Sequence, residues 1–384
     1  MNKIKETRVY NVQVLTFVHV GDGEKLGVWD FYQEGEKGKV RVVDVDAFLE
    51  RFGNDVRRMA AFADPALRRG WSDWRNEPNN RSVRDEIPIL RSMTGPMSWT
   101  ANEIRKQIRT GLGVPIIPGS SIKGAIRTAV LKRLAGNAAA SVNRKLEDLL
   151  ADKSRRNPRR ADDELDRFLF GKDPHHDLMR ALQVSDVAFS DKDVSVMRVK
   201  IRGLGHSGGY YKSRGRGQGD MDIFAEAINP GARGKLRITL DRHLMSPPQA
   251  KVLEFGDKAA CLDDLHGILN ERAREALEDD KQFFREAHMQ EIVRQAEVLL
   301  GHVQRAGKDV AALRLGWGVG WKGTTGDLLD AEMLQRFRSA FPIMGVKEGF
   351  PYPKTRKVVH MEDQLPLTLG WIWLSRLRKE EGTP

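Results

Sequence analysis

The sequence predicts an α+β protein of two halves, each a small sheet with helices on one face. Three observations lead there. The chain has 384 residues, room for two domains or one bipartite one. Its hydrophobic fraction of 40% is enough to bury a real core. Periodicity orders the elements as strand, insertion, helix, strands, hairpin, strands, long helices, loop and strand. The expected division is 1–220 and 221–384, with an insertion over about 30–100 and a mobile hairpin over about 203–220 in the first half.

VYNVQVLTFVHV (9–20) is β-branched and partly alternating, as a strand requires, and GDGEKLG (21–27) reads as a glycine-rich turn. KVRVVDVDA (39–47) is a second strand. Residues 53–86 are polar, with Trp71 and Trp74 set among arginines, and read as an irregular insertion. Over 120–135, Ile122, Ala125, Ile126, Ala129, Val130 and Leu134 recur at helical spacing. Ser120 or Ser121 would be the N-cap, after a Pro118–Gly119 turn. Helices follow near 142–151 and 162–170, separated by the basic loop KSRRNPRR. ALQVSDVAF (181–189) and VSVMRVKIR (194–202) are strands, and 203–220 is a Gly-rich, basic loop or hairpin tip. Residues 221–240 read as strand, Asn-Pro-Gly turn, strand, hence a hairpin. Residues 248–306 are mainly helical, with Ile292, Ala296, Leu299 and Val303 on one buried face. LRLGWGVGWKGTTGDLL (313–329) is a glycine-rich loop entering a helix, and GWIWLSRL (370–377) a last strand.

Lys and Arg number 64 against 53 Asp and Glu, a net charge of +11. That balance favours an acidic partner, nucleic acid first, with membrane surfaces and acidic proteins as rivals. No apolar run approaches the roughly 20 residues a bilayer span needs, and MNKIKETRVY lacks the apolar core of a signal peptide, so no membrane partner is expected. A single cysteine, Cys261, on an apparently apolar helix face, excludes a disulfide framework or a Cys-based zinc site and fits a reducing, cytoplasmic home.

Motifs for catalysis or cofactors are weak. G-x-G-x-x-G occurs at 203–208, where it opens no helix, and at 318–323, where no βαβ unit surrounds it. No Walker A, H-E-x-x-H or G-x-S-x-G is present, and KDPHHDLM (172–179) reads as a solvated helix start rather than a metal site. No cofactor or metal is expected. His19 ends the first strand beside GDGE and is the one acid–base candidate. With no second acid or base beside it, a contact role is preferred.

Binding signals are stronger. With Ser120 as N-cap, Lys123 falls in the first turn and Arg127 one turn later. Cations there oppose the helix dipole by about 0.3–1 kcal/mol and repel each other by a few tenths more. An anion at that helix end removes both costs, so Gly119, Ser120, Ser121, Lys123 and Arg127 are read as phosphate ligands. In GWGVGWKGTT, Gly316, Gly318 and Gly320 allow close approach of backbone, Trp317 and Trp321 offer stacking faces, and Lys322 offers charge. The 203–220 hairpin adds Tyr210, Tyr211, Lys212, Arg214 and Arg216.

IPGSSIKGAIRTAVL (117–131), RLGWGVGWKGTT (314–325) and LTFVHVGDGEKLG (15–27) together resemble the RAMP superfamily of CRISPR-associated proteins. FPYPKTRKVV (350–359) and PLTLGWIWL (366–374) narrow the resemblance to the fifth-subunit family of type III-A Csm complexes. The resemblance implies two ferredoxin-like (RRM-like) domains with helical and loop insertions. It implies an antiviral-defence subunit that holds CRISPR RNA, next to target RNA and the repeated backbone subunit, at the end carrying the guide's 3′ part. The RNA-cleaving aspartate of such complexes belongs to the backbone subunit and has no counterpart loop in this sequence. The expected role is therefore binding, capping and help in assembly and guide maturation. By the same resemblance, 203–220 would be a thumb between guide and target. The groove would be shared by Gly119–Arg127 and Gly316–Lys322, with His19 nearby. Two rivals remain: a metal-independent RNA endonuclease with His19 as general base, and a protein-only scaffold.

Overall fold

The computed structural model describes residues 4–34, 38–97 apart from 61, 63, 65 and 82, 101–152, 163–204, 210–212, 221–323, 328–340, 353–361 and 366–377. The chain begins with β1 (Lys5–Val14), β2 (Gly21–Gly27), β3 (Phe31–Glu34) and β4 (Lys39–Val43). Short helices α1 (Val45–Phe52), α2 (Val56–Ala60) and α3 (Trp71–Trp74) precede β5 (Ile89–Thr94), β6 (Glu103–Gln107) and β7 (Ile116–Ile117). A helical block follows: α4 (Gly119–Asn137), α5 (Ala139–Ala151) and α6 (Asp163–Phe170). Then come β8 (Leu182–Val184), β9 (Val187–Ala188), β10 (Val194–Leu204), β11 (Tyr210–Lys212), β12 (Asp222–Ile228) and β13 (Arg233–Asp241). The rest is α7 (Pro247–Val252), α8 (Leu265–Glu286), α9 (Gln290–Gln304), β14 (Val310–Arg314), α10 (Ala331–Ala340), β15 (Thr355–Val359) and β16 (Trp371–Arg376).

The architecture is α+β, as expected. One sheet has five strands in the order β14-β16-β1-β13-β8, every neighbouring pair antiparallel. The path β1–α4–β8–β13–α8–β16 gives a β-α-β-β-α-β sequence of elements with spatial order β16-β1-β13-β8. Alternate residues of the strands, such as Tyr10, Val12 and Val14 of β1 or Leu236, Ile238 and Leu240 of β13, are buried. They join one core with Ile122, Ile126 and Val130 of α4 and Leu265, Ile268 and Leu269 of α8. A period of two on the strands thus meets a period of 3.6 on the helices, and each side chain so buried contributes ~1.5–3 kcal/mol.

A second sheet runs β2-β6-β12-β10-β5-β4-β3, with β11 and β15 also paired to β10. Its central strand, β10, is buried along most of its length. Among the described residues no helix is long and apolar enough to cross a membrane.

The structure corrects four sequence expectations. The first strand stops at Val14, and GDGEKLG is β2, paired with β6. Its register shifts between Gly21 and Lys25, and Gly23, with φ +95°, sits inside that irregularity. The 221–240 segment is no hairpin. After the Asn229–Gly231 turn the chain changes sheets, because β13 finds a nine-residue register on β1 while β12 stays on β10. Each sheet therefore takes strands from both sides of the expected boundary at 220/221. Finally, the polar insertion at 53–86 has a core of its own: Trp71 and Trp74 are fully buried against Phe48, Phe52 and Leu67.

Glu6 fastens the first strand. It accepts Arg8 Nε at 2.6 Å and Arg242 Nε at 2.8 Å, with Arg376 at 3.9 Å. Burial raises its pKa, but the bonds from Arg8 and Arg242 outweigh this and hold it at about 2, against an ordinary 4.5. A depressed carboxylate stabilises the fold above its unfolded pKa, and that stabilisation disappears as pH falls through the folded value. Urea midpoints of the wild type should therefore drop between about pH 4.5 and about pH 2, and Glu6→Gln should flatten that drop. An equally steep drop in the variant would refute the clamp.

Candidate nucleic-acid interface

The glycine loop leaves β14 and turns back across the start of β2. Gly316, Gly318 and Gly320 have φ of +86°, +98° and +79°, conformations that side-chain-bearing residues avoid. Gly316 has a second reason to be glycine: a Cβ there would lie 2.6 Å from the carbonyl oxygen of His19. The adjacent Trp317 N–H donates to that carbonyl at 2.8 Å. His19 and the loop are thus in contact.

His19 itself is only 3% exposed. Its Nδ1 lies 2.6 Å from the Glu226 carbonyl oxygen, which can only accept, so Nδ1 carries the hydrogen. Burial pushes its pKa below the ordinary 6.5, so the ring is neutral at neutral pH. The Glu226 carboxylate, fully buried, is held by Arg91 at 2.7 Å and by the Gln107 N–H at 3.0 Å. His19 meets Trp317 edge-on, ring centres 5.7 Å apart.

Cations near the loop fall into two groups. Lys322 is ion-paired with Asp279. Arg356 reaches Asp279 at 2.8 Å and Asp280 at 3.7 Å, while Arg314 reaches Asp280 at 2.8 Å. The expectation that Lys322 offers charge to a ligand is corrected: its ammonium closes an internal network. Arg105 and Lys357 are different. The Arg105 guanidinium lies 5.2 Å and the Lys357 ammonium 5.0 Å from the centre of the Trp317 ring. Neither has an acidic partner among the described residues. Burial, and then the charge of Arg105, pull the Lys357 pKa down. Sequence reading missed both residues. Lys357 stood inside a family marker, and nothing in EIRKQ (103–107) sets Arg105 apart from the neighbouring Lys106.

The start of α4 also differs from expectation. Pro118 occupies the N-cap, and Ser120, exposed, and Ser121, half-buried, lie within the first turn. The Gly119 N–H donates to Asp186 Oδ1 at 2.7 Å, so an internal carboxylate already sits at this helix end. A Cβ on Gly119 would lie 2.2 Å from the Val184 carbonyl oxygen, which is why glycine stands there. Arg127 Nη1 reaches Asp177 at 2.8 Å and Nη2 reaches Asp166 at 2.7 Å, with the guanidinium 3.7 Å above the Phe170 ring. The anion that offsets Arg127 is therefore protein, not phosphate. Lys123 makes no hydrogen bond or ion pair among the described residues; burial pulls its pKa down, against the attraction of Asp177, which Arg127 already engages.

A cleft between α4, α8 and the loop is lined by Ala125, Thr128, Arg272, Gly320 and Trp321. On α4 it is Ala125 and Thr128 that line this cleft with the loop, while Lys123 and Arg127 are not among its lining residues. Tyr211 and Lys212 belong to β11, opposite Gly203 and Arg202 of β10. Arg214 and Arg216 lie outside the described residues. Among the described residues no three His, Cys, Asp or Glu side chains are placed to hold a metal ion.

Strands, cleft and glycine loop together belong to a known class. Residues 11–321 match the RAMP superfamily, and the chain belongs to that superfamily. Within it, the chain is similar to the CRISPR system protein Csm5 of Streptococcus thermophilus, 31% identical over 140 residues. That match spans 32% of this chain and 38% of the relative's length. The fold is similar to that of a chain in the cryo-EM structure of a Csm–crRNA–target RNA ternary complex of a type III-A CRISPR–Cas system. There the TM-score is 0.70 at 24% identity, over 96% of this chain and all of the other. It is also similar to crystalline Csm5 of T. onnurineus, with a TM-score of 0.60 at 21% identity over 94% of this chain and 99% of that one.

The loop geometry yields a graded outcome. Gly320 has a positive φ but open space around its Cβ direction, whereas Gly316 has a positive φ and the His19 carbonyl. Gly320→Ala should cost about 1–2 kcal/mol by denaturant unfolding, and Gly316→Ala distinctly more. Equal costs would show that the loop does not press on His19.

Proposed function

We propose that the chain is a non-catalytic guide-RNA-binding subunit of a type III-A interference complex. It caps the end that holds the 3′ part of the guide and aids assembly and guide maturation. Its partners are CRISPR RNA, target RNA and the other Csm subunits, the repeated backbone subunit above all. The observation that carries this reading is the likeness in fold, over 96% of the chain, to a chain from a Csm–crRNA–target RNA complex. The net charge of +11 and the cations left without acids agree with it.

In this reading the five-stranded sheet is a ferredoxin-like (RRM-like) unit, supported by the β-α-β-β-α-β path and its strand order. The second sheet gives less support to a second such unit. Its β5–β10 and β6–β12 pairs are parallel, whereas the sheet of that fold is antiparallel throughout. Lys123, with the exposed Ser120 one turn away, is the α4 contact to RNA, and Arg127 is a brace. The β11 hairpin remains the proposed thumb.

His19 fits a strut better than a base. A general base must reach its proton, and this ring is buried with one nitrogen held on a carbonyl. Repeat RNA incubated with the purified protein in EDTA should stay intact. Cleavage that disappears in His19→Ala would overturn the non-catalytic reading. In the RNA-binding assay, Lys123→Ala should lower the slope of log affinity against log salt by about 0.7. Arg127→Ala should leave the slope unchanged and lower the melting temperature. The opposite pattern would return Arg127 to the RNA.

A further inference from the structure

Arg105 and Lys357 come from β6 and β15, strands far apart in sequence, and converge on one tryptophan. Two like charges held over one ring and half-buried, close enough for Arg105 to lower the Lys357 pKa, are unfavourable unless something negative offsets them. The acids of the surrounding elements are committed to other cations. On β2, Asp22 and Glu24 are engaged by Lys106. On β6, Glu103 is engaged by Lys25. On β12, Asp222 lies between Arg198 and Lys200, and Glu226 holds Arg91. Beneath the loop, Asp279 and Asp280 are taken by Lys322, Arg314 and Arg356. β10, β15 and residues 315–323 of the loop contain no acid at all. Among the described residues each of these acids is engaged elsewhere, and two positive charges are left over on the Trp317 plate. The Nε of Arg105 is buried with no hydrogen-bond partner, a donor that water does not reach.

We infer that Arg105 and Lys357, seated on Trp317, bind one phosphate group of a single-stranded nucleic acid. The inference rests on the RNA-binding reading and names the part of the ligand this spot takes. An arginine presents a planar fork that matches two phosphate oxygens, and a lysine adds a point charge to the third. Trp317 holds both cations in place through its ring face, so their geometry exists before the ligand arrives. The glycine loop fixes Trp317 in turn, since its N–H is bonded to the His19 carbonyl. His19, neutral and edge-on to the ring, adds no competing charge.

The test uses the full chain and a fluorescent single-stranded RNA titrated across a range of salt. Arg105→Gln and Lys357→Gln should each lower the salt slope by about 0.7, and the double variant by about 1.4. The double variant should also bind about tenfold or more weakly at low salt. Arg105→Lys with Lys357→Arg, which keeps both charges, should restore most of the slope, and this separates charge from packing should the glutamine variants melt early. Unchanged slopes in all variants, with Lys123→Ala still lowering it, would overturn the phosphate site and leave the RNA reading standing. A second arm follows the reactivity of Lys357 toward acetylation in inorganic pyrophosphate. Protection there, with no RNA binding by the wild-type chain, would keep the anion site and reject RNA as its source. Absence of protection by either pyrophosphate or RNA would reject the site.

Discussion

The adjacent carboxylates of Asp279 and Asp280, on α8, organise the functional face. Asp280 is 1% exposed, and between them the two acids take Arg314 from β14, Lys322 from the glycine loop and Arg356 from β15. Burial raises the Asp279 pKa, yet Arg356 and Lys322 more than reverse it and keep the carboxylate charged. A buried network of this kind adds little net stability, but deleting one member leaves the others unpaired at a cost of about 3–5 kcal/mol. It therefore specifies position. One end of the loop is tied to α8 and the other to the His19 carbonyl, so Trp317 has a fixed place, packed against the second sheet.

That fixed place sorts the positive charge of the chain. Arg127, Arg314, Lys322 and Arg356 face acids of the same fold and brace it. Arg105, Lys123 and Lys357 form no ion pair among the described residues, Lys123 feeling only the more distant charge of Asp177. A net charge says only that a polyanion would be welcome; the pairing says where. The α4 start illustrates the difference. Its misplaced cations do signal a nearby anion, but that anion is Asp177 and Asp166 for Arg127, and Asp186 for the helix end itself.

The same example shows how much the sequence could reveal. Periodicity is local, so α4 to α6 and the long helices of the C-terminal half were legible to within a few residues, as was the glycine loop. Pairing is not local. The acids that meet Arg127 lie 39 and 50 residues away, and the Asp186 carboxylate that meets Gly119 lies 67 away. Nothing in GDGEKLG announces a partner strand at 103–107, and nothing in the Asn-Pro-Gly turn says that its two strands part to different sheets. The tryptophans of 53–86 were hidden by arginines around them, two of which, Arg58 and Arg75, lie over aromatic rings of the chain. Arg105 and Lys357 become a pair only once β6 and β15 are laid on the same sheet.

The central claim is that unpaired cations meet RNA and paired cations hold the fold. Quantitative lysine acetylation of the native protein, with and without single-stranded RNA, tests it most directly. The account predicts that Lys123 and Lys357 lose reactivity when RNA binds, while Lys322, paired with Asp279, does not change. Protection of Lys322 with Lys123 and Lys357 unaffected would contradict it.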